Sequence, residues 1–382
     1  MSSAARELRF ASVADVIARL NPSYPVFCVF PDVLRARARE FVDGFPGTVL
    51  YAVKCNPHPY VLKALWEGGV RHFDTASIFE IAKVTEQLPE AHCYFNHPVK
   101  GRGALEAASD VYGLKDYVVD TFSELDKVTE IAGTDITVEV RIATPKGSAV
   151  YDLSSKFGAA PDEAVALLTE ASRRGCRTAI AFHVGSQCLD PDAYRVAMEM
   201  SADVAARAGV KLEYLDVGGG FPAVYKKETP PLSAYFDVIR AAYERLGLDI
   251  PLFAEPGRAL VADACSVLTQ VHLRKGDSLY INDGIYGCLS EVRDGDLDPP
   301  VRAISKTGPV EGPMQSFRIF GPTCDSLDVL KQTFDLPESI GEGDWIEFGL
   351  MGAYSIGMQT GFNGFVTDTI VRIDGAQSGF GS

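Results

Sequence analysis

Eight short apolar runs, separated by helix-like segments, recur between Val49 and about Ala254, and this alternation constrains the fold more than any other feature of the chain. The runs cover residues 49–54, 70–74, 92–96, 116–119, 136–142, 178–183, 214–217 and 252–255. Amphipathic stretches such as 60–66, closed by Gly68-Gly69, and 161–174, closed by Gly175, end on the residue that stops a helix at least steric cost. Eight such strand–helix units predict a (β/α)8 barrel whose active site lies at the C-terminal ends of its strands. After Ala264 helical spacing largely disappears, and strand-like runs follow at 278–282, 316–320, 344–348 and 366–373. The expected architecture is α/β plus all-β: a TIM-like barrel over 27–262, then a C-terminal β-sandwich or barrel-like domain over 263–382 to which 1–26 contribute. By its place in the order, the run 26–30 is also expected to join the β domain.

Length and composition suit this reading. The 382 residues exceed one small domain and fit two, one of them a barrel of roughly 250 residues. Hydrophobic residues at 47% provide a large core, and neither a low-complexity tract nor a clear internal repeat is present. The net charge of -15 argues against a nucleic-acid surface, which needs clustered Lys and Arg, and tolerates a cationic ligand better. Eight cysteines without CxxC spacing suit free thiols in a reducing compartment and imply no metal cage. No segment has the apolar core of a signal peptide or the roughly 18 apolar residues of a membrane span, so a cytoplasmic protein without membrane contact is expected.

A barrel demands that polar residues gather where strands end, and Lys54, Asp74, Arg141, His183, Gly218 to Gly220 and Glu255 do so. Strand alternation places Leu50, Ala52 and Lys54 on one face, with Asn56-Pro57 ending the strand at once. A lone lysine there ordinarily reaches solvent; a desolvated one can trap a carbonyl. Gly218-Gly-Gly-Phe-Pro222 follows the seventh run and Glu255-Pro256-Gly257-Arg258 closes the eighth, where barrels often hold a phosphate and where arginine adds a charge-assisted partner. Gly101-Arg-Gly103 lacks the third glycine of a dinucleotide fingerprint and reads as a loop. A reactive lysine, a phosphate cradle and an acid for a pyridine nitrogen, here Glu255, together describe pyridoxal 5'-phosphate. Decarboxylation and racemisation are the reactions this opens.

The motifs Tyr51-Ala-Val-Lys-Cys-Asn-Pro57, Phe73-Asp-Thr-Ala-Ser77, His183-Val-Gly-Ser-Gln-Cys188, Gly218-Gly-Gly-Phe-Pro222, Glu255-Pro-Gly-Arg258, Asn282-Asp-Gly-Ile-Tyr-Gly287 and Gly321-Pro-Thr-Cys-Asp-Ser-Leu-Asp328 stand in one order along nearly the whole chain. In them the chain resembles the eukaryotic-type ornithine decarboxylase family, among the fold type III pyridoxal-phosphate enzymes that include alanine racemase and the bacterial lysine/ornithine decarboxylases. The resemblance implies that Lys54 carries the cofactor, that His183 stacks on its ring, and that Ser186, Gly219, Gly220, Pro256, Gly257, Arg258 and Tyr354 form or contact the phosphate cradle. Asp74 and Arg141 would support Lys54 and its surroundings. Taken singly, His183 is equally a satisfied core histidine and Tyr354 a packing residue.

The same resemblance implies a homodimer in which Cys324 and Asp325 serve the active site of the opposite subunit. A thiol near Cα can return a proton, and a short carboxylate can pair with the distal ammonium of a diamino acid; the plainer alternative for Cys324 is a buried thiol in a β turn. After Tyr286, itself a candidate substrate contact, the stretch 287–296 lacks the Tyr-Asp-His pattern of the animal members. Asp294 and Asp296 are candidates for a second substrate acid, with Glu291 also open. The implied reaction is decarboxylation of L-ornithine to putrescine. Lysine or dual lysine/ornithine activity, diaminopimelate or carboxynorspermidine decarboxylation, alanine racemisation and a noncatalytic regulator are the alternatives.

Overall fold

Eight parallel strands close into a barrel: Thr48–Ala52, His72–Thr75, His92–Phe95, Asp116–Val119, Thr137–Arg141, Arg177–Ala181, Leu212–Asp216 and Leu252–Ala254. They pair in sequence order, and the eighth returns to the first through Ala254 opposite Val49. All eight expected runs are therefore strands of one closed sheet. The computed structural model describes residues 8–144, 156–225, 228–294, 297–375 and 380. It divides into two units, Ala38–Pro222 with Thr229–Ala259, and Met1–Arg37 with Ala223–Glu228 and Leu260–Ser382.

Local sequence explains the helices between strands. Ser77 and Thr121 cap Ile78–Gln87 and Phe122–Ala132, each hydroxyl accepting the N–H of a glutamate three residues on, Glu80 or Glu124. At the far end, Asp192–Ala208 stops at Gly209, whose φ of 63° lies in the left-handed region that glycine enters without a Cβ clash. Under the helices Phe41, Tyr194, Phe221, Tyr235 and Phe236 form a ring cluster, with centroids 5.0 Å apart for Tyr194 and Phe221 and 5.4 Å for Phe41 and Phe236. This cluster anchors the loop after the seventh strand, because Phe221 belongs to it.

Two local expectations are corrected. The first strand ends at Ala52, and Lys54 lies in a 3-10 turn, Val53–Cys55, closed by Asn56 N–H donating to the Val53 carbonyl at 3.1 Å. Strand alternation therefore does not aim Lys54; the turn does, braced by the Tyr51 hydroxyl on the Asn56 carbonyl at 3.0 Å. Gly101-Arg-Gly103 is not a loop: Gly101 is the extended residue that starts the helix Arg102–Glu106. Glycine spacing alone carries no information about that start.

The second unit is built on one sheet whose main path runs Arg9–Phe10, Thr369–Ile373, Val26–Val29, Cys265–Lys275, Ser278–Ile281, Met314–Phe320 and Val329–Pro337. Its first half is gathered from both ends of the chain. Val26–Val29 pairs with Cys265 to Leu268 on one side and with Thr369 to Arg372 on the other. The helix Val13–Leu20 contributes Val13, Val16 and Ile17 to the core around Trp345, whose indole N–H donates to the Pro22 carbonyl at 2.9 Å.

Candidate active site

The barrel interior departs from the usual filling of branched apolar side chains. Asp74, Glu139 and Asp216 are at most 1% exposed, and Glu139 Oε1 and Asp216 Oδ2 have no hydrogen-bond partner among the described residues. Burial first, then neighbouring acids, pushes the Glu139 and Asp216 carboxyls well above the usual carboxylate range. Tyr214 donates to Asp116 at 3.2 Å and lies 3.5 Å from Glu139. Buried acids thus line the barrel interior, and at Glu139 and Asp216 the protonated form is favoured relative to an exposed carboxyl.

At that mouth Lys54 Nζ lies 2.5 Å from Asp74 Oδ2. The other Asp74 oxygen is buried without a hydrogen-bond partner among the described residues. Asn96, just beyond the third strand, donates its amide to Glu255 Oε1 at 2.5 Å, and Glu255 follows the eighth strand. Burial, then the Asp74 charge, raises the Glu255 carboxyl to about 7, against the lowering pull of Lys54, Asn96 and Arg141. His183 Nδ1 accepts the Gly185 N–H at 3.0 Å, so the ring is held in a fixed plane. Burial, with Arg141 and Lys54 adding, drives its pKa well below 6.5 and keeps the imidazole neutral. Arg141 ends the fifth strand with its guanidinium 5.5 Å from the Phe157 ring centre.

The glycine loop is shaped by close approach. Gly218 N–H donates to Asp216 Oδ1 at 2.7 Å, and the Gly219 carbonyl accepts the Tyr194 hydroxyl at 2.9 Å. A Cβ on Gly219 would sit 2.7 Å from the Glu255 carbonyl and 3.0 Å from His183 Nε2; one on Gly220, where φ is +107°, would sit 2.5 Å from the Gly185 carbonyl. Ser186 directly follows the His183-bound Gly185, and Pro256, Gly257 and Arg258 continue from Glu255, with Arg258 buried at the start of Arg258–Val261. Pyridoxal phosphate requires an amine, a close backbone cradle and a carboxyl able to ionise near neutrality. The cradle that side chains would fill, the orphaned Asp74 oxygen beside Lys54 and the poised Glu255 fit it.

The second unit brings together two motifs far apart in sequence. Asp328 accepts the Ile285 N–H at 3.0 Å through Oδ1, and the Thr323 N–H at 3.0 Å and hydroxyl at 2.7 Å through Oδ2. That carboxylate ties residues 282–287 to residues 321–328. Tyr286 donates to Asp325 Oδ2, and the Leu327 N–H to Asp325 Oδ1 at 2.9 Å, so the Asp325 carboxyl lies below its usual range. Cys324 is exposed, not a buried turn cysteine, and both its N–H and its thiol donate to Asn363 Oδ1, at 3.2 and 3.3 Å. Tyr354 is half-buried with a left-handed φ of 49°. Glu291 lies on the helix Ser290–Asp294, which Asp294 ends, and Asp296 falls outside the described residues.

Asn96 and Asn363 were not singled out by motif. The available signals were a polar residue closing the third strand and the turn pair Asn363-Gly364. Among the described residues no helix is long and apolar enough to cross a membrane, and no His, Cys, Asp and Glu cluster could hold a metal.

Residues 32–262 match the family model for the pyridoxal-dependent decarboxylase, pyridoxal binding domain. The chain is 36% identical over 338 residues to a lysine/ornithine decarboxylase of Selenomonas ruminantium, covering 85% of this chain and 84% of that one. Among solved structures, the arginine decarboxylase of Paramecium bursaria Chlorella virus superposes with a TM-score of 0.85 at 29% identity, over 94% of this chain and 99% of that one. The lysine/ornithine decarboxylase of Vibrio vulnificus, complexed with putrescine, gives 0.83 at 28% identity, over 96% and 99%.

Proposed function

Because this chain belongs to the pyridoxal-dependent decarboxylases, we propose that its amino-acid substrate is L-ornithine, converted to putrescine and carbon dioxide. The protein is a pyridoxal-phosphate enzyme that decarboxylates a basic amino acid. The observation that supports ornithine is the Asp325 carboxylate, held beside Cys324 by Tyr286 and by the Leu327 N–H. A short, firmly ionised acid suits the terminal ammonium of a diamino acid. It opposes the second carboxylate of diaminopimelate.

Lys54, held by Asp74, would carry the cofactor; Gly219, Gly220, Ser186, Pro256, Gly257, Arg258 and Tyr354 would hold its phosphate; and His183 and Glu255 would serve its ring, Glu255 as the acid for the ring nitrogen. Arg141 adds positive charge to the same mouth. When bound, the cofactor supplies an electron-withdrawing ring that accepts the electron pair left on Cα as the carboxylate departs. Each turnover takes up one proton in place of carbon dioxide. Cys324 of the partner subunit delivers it to Cα, and Asp325 of the partner subunit fixes the distal ammonium. The working unit in this reading is a homodimer.

Lysine is the second reading, favoured by the Selenomonas relative, whose name carries both substrates. One methylene separates the two, a difference of about 1–3 kcal/mol in discrimination. Carbon dioxide and amine release from ornithine, lysine, arginine and diaminopimelate decides the matter. Ornithine is expected to give the highest kcat/KM; a higher value for any of the others overturns the assignment.

A further inference from the structure

Asn96 stands one residue past the third barrel strand and Glu255 one residue past the eighth, with the first and second strands between them around the barrel. The Asn96 amide bridges that gap, Nδ2 donating to Glu255 Oε1 at 2.5 Å. Asn96 is itself held firmly. It is only 9% exposed, and its backbone N–H donates to the Thr75 carbonyl at 3.0 Å.

The two acids of the mouth have chemically different partners. Asp74 has a cation, Lys54 at 2.5 Å, whereas Glu255 has a neutral amide. A lysine or arginine in place of Asn96 would pair with the charge that Glu255 must present to a ring nitrogen. An amide fixes one oxygen and leaves the carboxylate's net charge for the ligand. Asn96 Oδ1 is meanwhile buried with no hydrogen-bond partner among the described residues. An orphaned buried carbonyl is costly, and such a group in a folded protein points to a constraint beyond stability.

We propose that Asn96 is a positioning residue for the cofactor's ring nitrogen, aiming the Glu255 carboxylate without neutralising it. The inference rests on reading Glu255 as the acid opposite that nitrogen. Its test is a binding equilibrium, not turnover. Cofactor-free protein is titrated with pyridoxal 5'-phosphate and with its 1-deaza analogue, in which C–H replaces the ring nitrogen, and binding is followed by absorbance and fluorescence.

Asn96→Ala is expected to weaken pyridoxal phosphate about tenfold, the scale of one charge-assisted hydrogen bond, while leaving the deaza analogue within about twofold. Asn96→Asp, which sets a second acid against Glu255, is expected to weaken the natural cofactor further. In a Glu255→Gln background Asn96→Ala should add nothing. Equal weakening toward both ligands, or full additivity with Glu255→Gln, overturns the proposal. Should Asn96→Ala fail to fold, Asn96→Ser, whose hydroxyl is too short to reach Glu255, is read in the same way. If Glu255→Gln by itself fails to distinguish the two ligands, the assignment of Glu255 falls, and this inference with it.

Discussion

Replacing Glu255 by Gln in cofactor-free protein should make the protein more stable at alkaline pH, although it removes a group of the candidate site. The Glu255 carboxyl stands at about 7 against an ordinary 4.5, chiefly through burial. At pH 4.5 and below both folded and unfolded forms hold the proton. As pH rises toward 7 the unfolded chain releases it first, so stability present in acid is lost progressively and stays lost above the folded-state value. At about 1.36 kcal/mol per pH unit, the interval sets a ceiling of about 3 kcal/mol. Glu255 is only half-buried at the mouth, and solvent screening brings the expected figure to about 1–2 kcal/mol. Glutamine keeps the shape and cannot ionise. It also relieves Asp216, whose carboxyl Glu255 helps to raise, with the same sign. Urea unfolding of both proteins between pH 4 and 8.5 should show the smallest difference at the acid end and a variant advantage opening with pH. A difference that stays flat across that range refutes the argument. Saturating pyridoxal phosphate should reverse the sign, because the ionised acid then has a ligand to meet.

Gly219→Ala would press a methyl to 2.7 Å from the Glu255 carbonyl and 3.0 Å from the His183 ring. A loss of about 1–3 kcal/mol in stability and weaker cofactor binding are expected, measured by thermal unfolding and absorbance titration. Asn363 occupies the left-handed region with φ 54°, so Asn363→Gly suits the backbone and removes the shared acceptor of the Cys324 N–H and thiol. Iodoacetamide should then alkylate Cys324 faster, and more turnovers should return the proton to the cofactor instead of to Cα; unchanged values of both would count against Asn363 holding the thiol. Lys54→Ala should abolish the visible absorbance of lysine-bound cofactor and multiple turnover, and Cys324→Ala should impair proton return. Mixed under conditions where dimers exchange subunits, the two variants should recover part of the activity, and a persistent lack of recovery would contradict a site shared between protomers.

The barrel was legible because a parallel strand buried on both faces must be apolar and must alternate with helices, and eight such runs admit one closed sheet. Strand ends were less so. Lys54 reads as a strand residue by alternation, yet the Tyr51 hydroxyl and the Val53–Asn56 hydrogen bond turn the chain before it. The positions of Glu255 and the glycine loop were legible from their places after strands. Asn96 was not, because its partner lies 159 residues away and a single amide at a strand end has no characteristic spacing. Likewise no local pattern predicts that the Asp328 carboxylate ties residues 282–287 to residues 321–328.

The sheet of the second unit has a consequence for biosynthesis. Val26–Val29 is made long before its neighbours, Cys265 to Leu268 and Thr369 to Arg372. During translation that strand leaves the ribosome with both edges vacant and stays so while well over two hundred residues follow, most of which can already close the barrel. Its side chains are apolar throughout, the composition most prone to pair with a wrong edge in the interval. Synthesis rate and chaperone supply should therefore govern the yield of active protein through this four-residue segment more than through the catalytic barrel.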